Sequence, residues 1–173
     1  MSDIGTPERV TQQRVIKLFT NELGYRYLGD WTHRTGNSNI EPGLLTDFLT
    51  GSGYTPAQIN RAIDVLRRET DNHSRQLYGN NQAVYKLLRY GVPVKVEVGE
   101  FTETVHLINW KEPHKNDFAI AEEVTLHVNL ERRPDLVLYV NGIAIGTIEL
   151  KKSVIGIGEG IRQRFERACD VLC

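Results

Sequence analysis

Between Pro134 and Lys151 the sequence reads PDLVLYVNGIAIGTIELK, two apolar runs on either side of Asn141-Gly142. Both residues of an Asn-Gly pair accept left-handed backbone, so this stretch specifies a β-hairpin more firmly than any other part of the chain. A hairpin returns the chain to its starting point. It therefore brings Asp135, at the outer end of the first strand, beside Glu149, Leu150 and Lys151 at the outer end of the second. Two neighbouring carboxylates make a hard, all-oxygen site of the kind Mg²⁺ prefers. Lys151 lies two residues beyond Glu149, so both side chains fall on one strand face. A cation, carboxylates and an ammonium group are the minimum equipment for hydrolysing a phosphodiester. The same residues also fit a core hairpin with solvated charges at its ends.

Parity decides whether the two acids can meet. With a plain two-residue turn Val140 pairs with Ile143, odd positions face even ones, and Asp135 lands on the opposite side of the sheet from Glu149. A three-residue loop, Val140-Asn141-Gly142 with a bulge at Gly142, pairs Tyr139 with Ile143 and puts Asp135, Glu149 and Lys151 on one face. The opposite face is then wholly apolar, from Leu136, Leu138 and Val140 to Ala144, Gly146, Ile148 and Leu150. A bulge elsewhere, for instance at Gly146, serves equally. The expectation is one odd-length turn or one bulge between Asp135 and Glu149.

The remaining sequence bounds the class. A chain of 173 residues, 40% hydrophobic and 25% charged, suits one compact domain with an ordinary core. A net charge of −1 gives no general attraction to nucleic acid, so a DNA surface has to come from local clustering. Arg132, Arg133, Lys152, Arg162 and Arg164 gather around the hairpin ends and are the candidates for phosphate contacts; as strand-end charges they also fit a solubilising role. Cys169 and Cys173 build no disulfide framework, the five histidines lack metal-ligand spacing, and no apolar run is long enough to cross a membrane. A cytoplasmic location is expected. Gly156, Gly158 and Gly160 fit neither phosphate-binding loop, so no ATP site is expected.

Helical spacing covers 8–23, with Glu8 in the first turn, where its carboxylate suits the helix dipole or reaches the metal as an additional acid. Residues 25–43 show no period and read as an ordered loop whose aromatics pin it to the domain. A short helix is expected over 44–49. Thr55-Pro56-Ala57-Gln58 is a capping box opening a helix with Ile59, Ile63 and Leu66 inward. Another helix is expected over 81–90. From Val92 the period becomes alternating, with strands over 92–98, 102–110 and 117–129, then the hairpin and a closing helix from about Gly158. This order predicts an α/β fold, a mixed sheet flanked by helices, divided into a helical N-terminal part (1–91) and a sheet core (92–173).

The Pro-Asp, thirteen residues, then Glu-x-Lys arrangement has the form of the PD-(D/E)xK nuclease signature. Longer words are more specific. KNDFAIAEEVTL, RRPDLVLYVNGIAIGTIELKKS and GEGIRQ, with ELGYRYLGDW, GNSNIE and LLRYGVPVKVEVGE upstream, closely resemble the N-terminal nuclease domain of the restriction (R) subunit of type I restriction–modification enzymes. The resemblance runs from about Glu8 to Gln163. It implies a restriction-endonuclease-like fold and a Mg²⁺-dependent deoxyribonuclease acting on double-stranded DNA. Asp135 and Glu149 match the metal-binding acids, joined by the Leu150 carbonyl, and Lys151 matches the catalytic lysine. Gln163 matches the glutamine of a Gln-x-x-x-Tyr element, but Arg167 stands at the tyrosine position. Methyltransferase (M) and specificity (S) subunits are the implied partners, and ATP belongs to a motor that this stretch does not contain. The chain thus reads as a fragment, or a stand-alone remnant, of a larger subunit, with an altered or truncated end at 165–173. Alternatives are a catalytically silent assembly domain docking through 25–90, and a silent nuclease remnant.

Overall fold

The computed structural model describes residues 6–96, 101–127 and 131–150, with side chains left out at 6–8, 126–127 and 131–132. In chain order the elements are helix α1 (Thr6–Lys17), strand β1 (Arg26–Asp30), helices α2 (Pro42–Gly51), α3 (Pro56–Thr70) and α4 (Leu77–Tyr90), and strands β2 (Val92–Val94), β3 (Glu103–Val105), β4 (Phe118–Glu122), β5 (Leu126–His127), β6 (Glu131–Arg132), β7 (Leu136–Val140) and β8 (Ile143–Ile148). The fold is α/β. Its described residues pack as two units, one joining the segment up to Asn39 to that from Asp117 onward, the other spanning Ile40–Asn116. This grouping cuts across a division at residue 91.

The first unit holds a mixed sheet in the order β1-β4-β7-β8. Strand β1 runs parallel to β4, while β4–β7 and β7–β8 are antiparallel. The expected loop at 25–43 therefore begins with a strand. RYLGD lacks alternation because the pairing slips between Tyr27 and Gly29, where Gly29 takes φ +101°. Helix α1 covers one sheet face. Ile16 buries against Ile120 and Leu136, with Val15, Phe19, Leu138 and Ile148 around them. Such burial contributes roughly 1.5–3 kcal/mol per large aliphatic side chain. The helix widens by one residue over Leu18–Glu22, and Gly24 at φ +70° ends it, turning the chain into β1.

The other face of β7 is also covered. Val137 and Tyr139 are buried, and the Tyr139 ring lies 5.7 Å from that of Trp31. Both faces of β7 thus carry apolar residues, Leu136 and Leu138 packing with Ile148 on one and Val137 and Tyr139 buried on the other. Tyr25 packs edge-on against Phe19 at 4.9 Å. Tyr25 and Trp31 thus pin their segment to the domain.

At the hairpin, Val140 pairs with Ile143, leaving a two-residue turn with Asn141 at φ 52° and Gly142 at φ 80°. The three-residue loop is therefore corrected; a primed two-residue turn matches the strand twist better. The alternative bulge is present instead. Tyr139 pairs with Ala144 but Leu138 with Gly146, so Ile145 is the extra residue. Beyond it Val137 pairs with Thr147 and Leu136 with Ile148, and parity is restored.

In the second unit the capping box of Thr55 and Gln58 forms as expected, and Ile59, Ala62, Ile63 and Leu66 of α3 are buried, as are Leu45 and Leu49 of α2. Among the described residues, strands β2 and β3 pair only with each other. Gly91 ends α4 at φ +87°, and a Cβ there would sit 2.5 Å from the Thr104 side chain. Among the described residues no helix is long and apolar enough to cross a membrane. The closing helix expected from about Gly158 lies outside the described residues.

Candidate active site

The end of the sheet opposite the Asn141 turn gathers acids from three strands. β4 finishes on Glu122, with Glu123 directly after it, β1 finishes on Asp30, and Asp135 immediately precedes β7. They line a cleft of about 430 Å³ together with Arg9, Gln12, Thr32 and Arg133. Among the described residues four carboxylates face two guanidinium groups, which gives that lining a net negative charge. Phosphate is repelled from such a surface unless a cation joins it.

Asp135 is tied down at two points. The Leu150 N–H donates to its Oδ2 at 2.5 Å, and its main-chain carbonyl accepts from the Glu123 N–H at 2.9 Å. The second contact requires Glu123 to adopt φ 54°, a left-handed conformation unusual for a non-glycine residue and characteristic of shaped sites. The register Leu136↔Ile148, extended by one step, sets Asp135 opposite Glu149. Leu150 main chain thus lies against the Asp135 carboxylate, beside the other acid.

Buried Gln12, reaching in from α1, joins the acids. Its Nε2 lies 3.0 Å from Glu122 Oε2, 3.2 Å from Glu123 Oε1 and 3.5 Å from the Asp135 carbonyl. Glu122 also accepts from Gln13 Nε2 at 3.5 Å and from the Tyr27 hydroxyl. Burial, reinforced by the bond to Glu122, pushes the Tyr27 phenol well above its ordinary value, so it stays a donor. The Thr32 hydroxyl and N–H both bond Asp30 and hold its carboxyl below the usual carboxylate range, keeping it ionised. Arg133 is exposed and pairs with Glu123 at 2.9 Å.

Of the residues singled out in the sequence, Asp135, Glu149, Leu150 and Arg133 are placed at this end. The side chains of Glu8 and Arg132 lie outside the described residues, as do Lys151, Lys152, Arg162, Gln163 and Arg164 in full. Among the described residues no three His, Cys, Asp or Glu side chains are set around a common metal position. Sequence reading missed Gln12, Tyr27, Asp30, Glu122 and Glu123. The signal for the last two was present, since an apolar run FAIA that ends abruptly in Glu-Glu puts two acids at a strand end.

The chain matches the family described as type I restriction enzyme R protein N terminus over residues 5–171. It is also 32% identical over 96 residues to a Methanocaldococcus jannaschii protein with the provisional name type I restriction enzyme MjaIXP endonuclease subunit. That similarity covers 52% of this chain and 9% of the longer protein.

Proposed function

The chain belongs to the family of type I restriction enzyme R protein N termini, and we propose that it is the DNA-cleaving domain of such an enzyme, a Mg²⁺-dependent nuclease of the PD-(D/E)xK kind. The observation that carries this reading is the single bulge at Ile145. It corrects the parity of a two-residue turn and sets Asp135 opposite Glu149.

The donor set fits a hard divalent cation. Asp135 and Glu149 offer carboxylate oxygens and Leu150 a main-chain carbonyl, and Mg²⁺ commonly takes one or two carboxylates while keeping several waters. When bound, the cation lowers the pKa of water and offsets charge on the phosphate. The remaining work falls to the chain. The Leu150 N–H fixes one Asp135 oxygen, leaving the other to the ligand. Gln12 and the Glu123 N–H hold the Asp135 main chain and so the direction of its side chain. Lys151 takes the role of orienting water or countering developing charge on phosphate, and Gln163 of positioning water or backbone. Arg132, Lys152, Arg162 and Arg164 supply backbone contacts without sequence information. ATP-driven translocation and sequence recognition are assigned to parts outside this chain, the latter to methyltransferase and specificity partners.

The test is DNA cleavage by a complete restriction complex carrying Glu149→Gln or Lys151→Ala. Loss of cleavage with ATP hydrolysis retained is expected; undiminished cleavage by Glu149→Gln overturns the assignment.

A further inference from the structure

Helix α4 has an unusual solvent face. Tyr78, Gln82, Tyr85 and Arg89 follow one another along it at helical spacing, with Lys86 and Tyr90 alongside. The three tyrosines are 78%, 60% and 68% exposed. Large aromatics seldom stand so open on a surface helix, where charged and small polar residues serve solubility better. Arg89 places its guanidinium 5.3 Å from the centre of the Trp110 ring, and Trp110 is anchored by its indole N–H to the Leu88 carbonyl at 2.8 Å. That ring too is half exposed. From 72 to 96 the sequence holds no Asp or Glu, while Lys86, Arg89 and Lys95 are cationic. In a chain of net charge −1 this is a local region of one sign.

We propose that the α4 face, with Trp110, binds single-stranded nucleic acid. Flat aromatic rings interleaved with cations suit an unpaired strand, whose bases offer π-faces and whose phosphates seek Lys and Arg. Tyr78 and Tyr85 lie seven residues apart, about 10 Å along a helix rising 1.5 Å per residue. Successive bases of one strand, at about 3.4 Å spacing, bridge that distance in three steps. A duplex hides its base faces, so it engages only the cations. A protein partner fits less well, because among the described residues the α4 face carries no exposed Leu, Ile, Val or Met to fill a partner's pocket and no carboxylate to answer its basic groups. None of these residues belongs to the proposed cleavage site, so the two readings stand or fall separately.

The experiment is fluorescence anisotropy of a labelled oligothymidylate and of a duplex of equal length, with the full chain, in EDTA and at low salt. The single strand is expected to bind more tightly than the duplex. Tyr85→Ala weakens that binding roughly tenfold, the size of one lost base stack. Lys86→Gln with Arg89→Gln flattens the dependence of log affinity on log salt by about 1.4 units, as expected for two lost phosphate contacts. Melting curves verify that the substituted chains are folded, which exposed positions permit. Undetectable binding by the wild type, or equal affinities for wild type and a Tyr78→Ala, Tyr85→Ala double variant, overturns the proposal. So does loss of assembly with methyltransferase and specificity subunits in that double variant while oligonucleotide binding persists, which assigns the face to a protein.

Discussion

At the turn end of the four-stranded sheet, Asn141, Asp117 and Arg26 close on one another; at the opposite end, among the described residues, carboxylates outnumber the guanidinium groups beside them. Asn141 is fully buried, its Oδ1 accepts the Asp117 N–H at 2.7 Å, and its own N–H donates to the Asp117 carbonyl at 2.8 Å. The Asp117 carboxylate is then taken by Arg26. Around Glu122 and Asp135, by contrast, the donors among the described residues are neutral: Gln12, Gln13, Tyr27 and the Leu150 N–H. Neutral donors orient a carboxylate without cancelling its charge. The same strands thus end in a closed structural clasp on one side and in an acidic cleft on the other, suited to an added cation.

Substitutions break or sharpen this contrast. The largest effect is expected for Asp135→Ala, which should reduce cleavage by a complete complex to the assay background while the melting temperature stays near wild type. Gln12→Leu comes next. It preserves volume but removes the donor shared by Glu122, Glu123 and the Asp135 carbonyl. A loss of roughly 10–100-fold in cation affinity or cleavage, the scale for groups that orient metal ligands, is expected from titration and kinetics. If Gln12→Leu lowers only the melting temperature, the acidic end is as structural as the turn.

Asn141→Ala probes the clasp. It leaves the Asp117 N–H without its acceptor and asks alanine to adopt a left-handed backbone, so urea unfolding should show about 1–3 kcal/mol of lost stability. Cleavage per folded molecule should be kept. The Tyr27 phenol gives a smaller, pH-dependent effect. Its pKa is raised above the ordinary 10.0, so the folded state holds the proton more tightly than the unfolded. The stability this provides is present below about pH 10 and declines as pH rises beyond it. The gap between wild type and Tyr27→Phe in urea melts should therefore narrow from neutral to strongly alkaline pH. Arg26→Gln is expected to do least. Its side chain is about half exposed, and such pairs contribute roughly 0–1 kcal/mol, less in high salt.

Features set by neighbours in sequence were legible from the residues alone. Asn141-Gly142 marked where the hairpin turns, though not the length of its loop, and Thr55 to Gln58 dictated a capping box, because the chemistry lies within a few residues. Parity showed that one extra residue was needed between Asp135 and Glu149. Its position at Ile145 was not legible, since the favoured two-residue turn and the half-exposed outer strand settled it together. Strand β1 was read as loop because its pairing partner β4 lies far along the chain and the slip at Leu28 erases alternation. Gln12 looked like one more polar position on an amphipathic helix. Only the packing of α1 on the sheet, with Glu122 aligned to Leu136, shows that it reaches the acids.

Calorimetric titration of Mn²⁺, a readily detected substitute for Mg²⁺, into wild type, Asp135→Ala and Asn141→Ala bears most directly on the contrast between the two ends. Saturable binding by wild type and by folded Asn141→Ala, abolished in Asp135→Ala, is the predicted result. Equal binding by wild type and Asp135→Ala, or none by a folded wild type, would contradict a cation site at the Asp135 end.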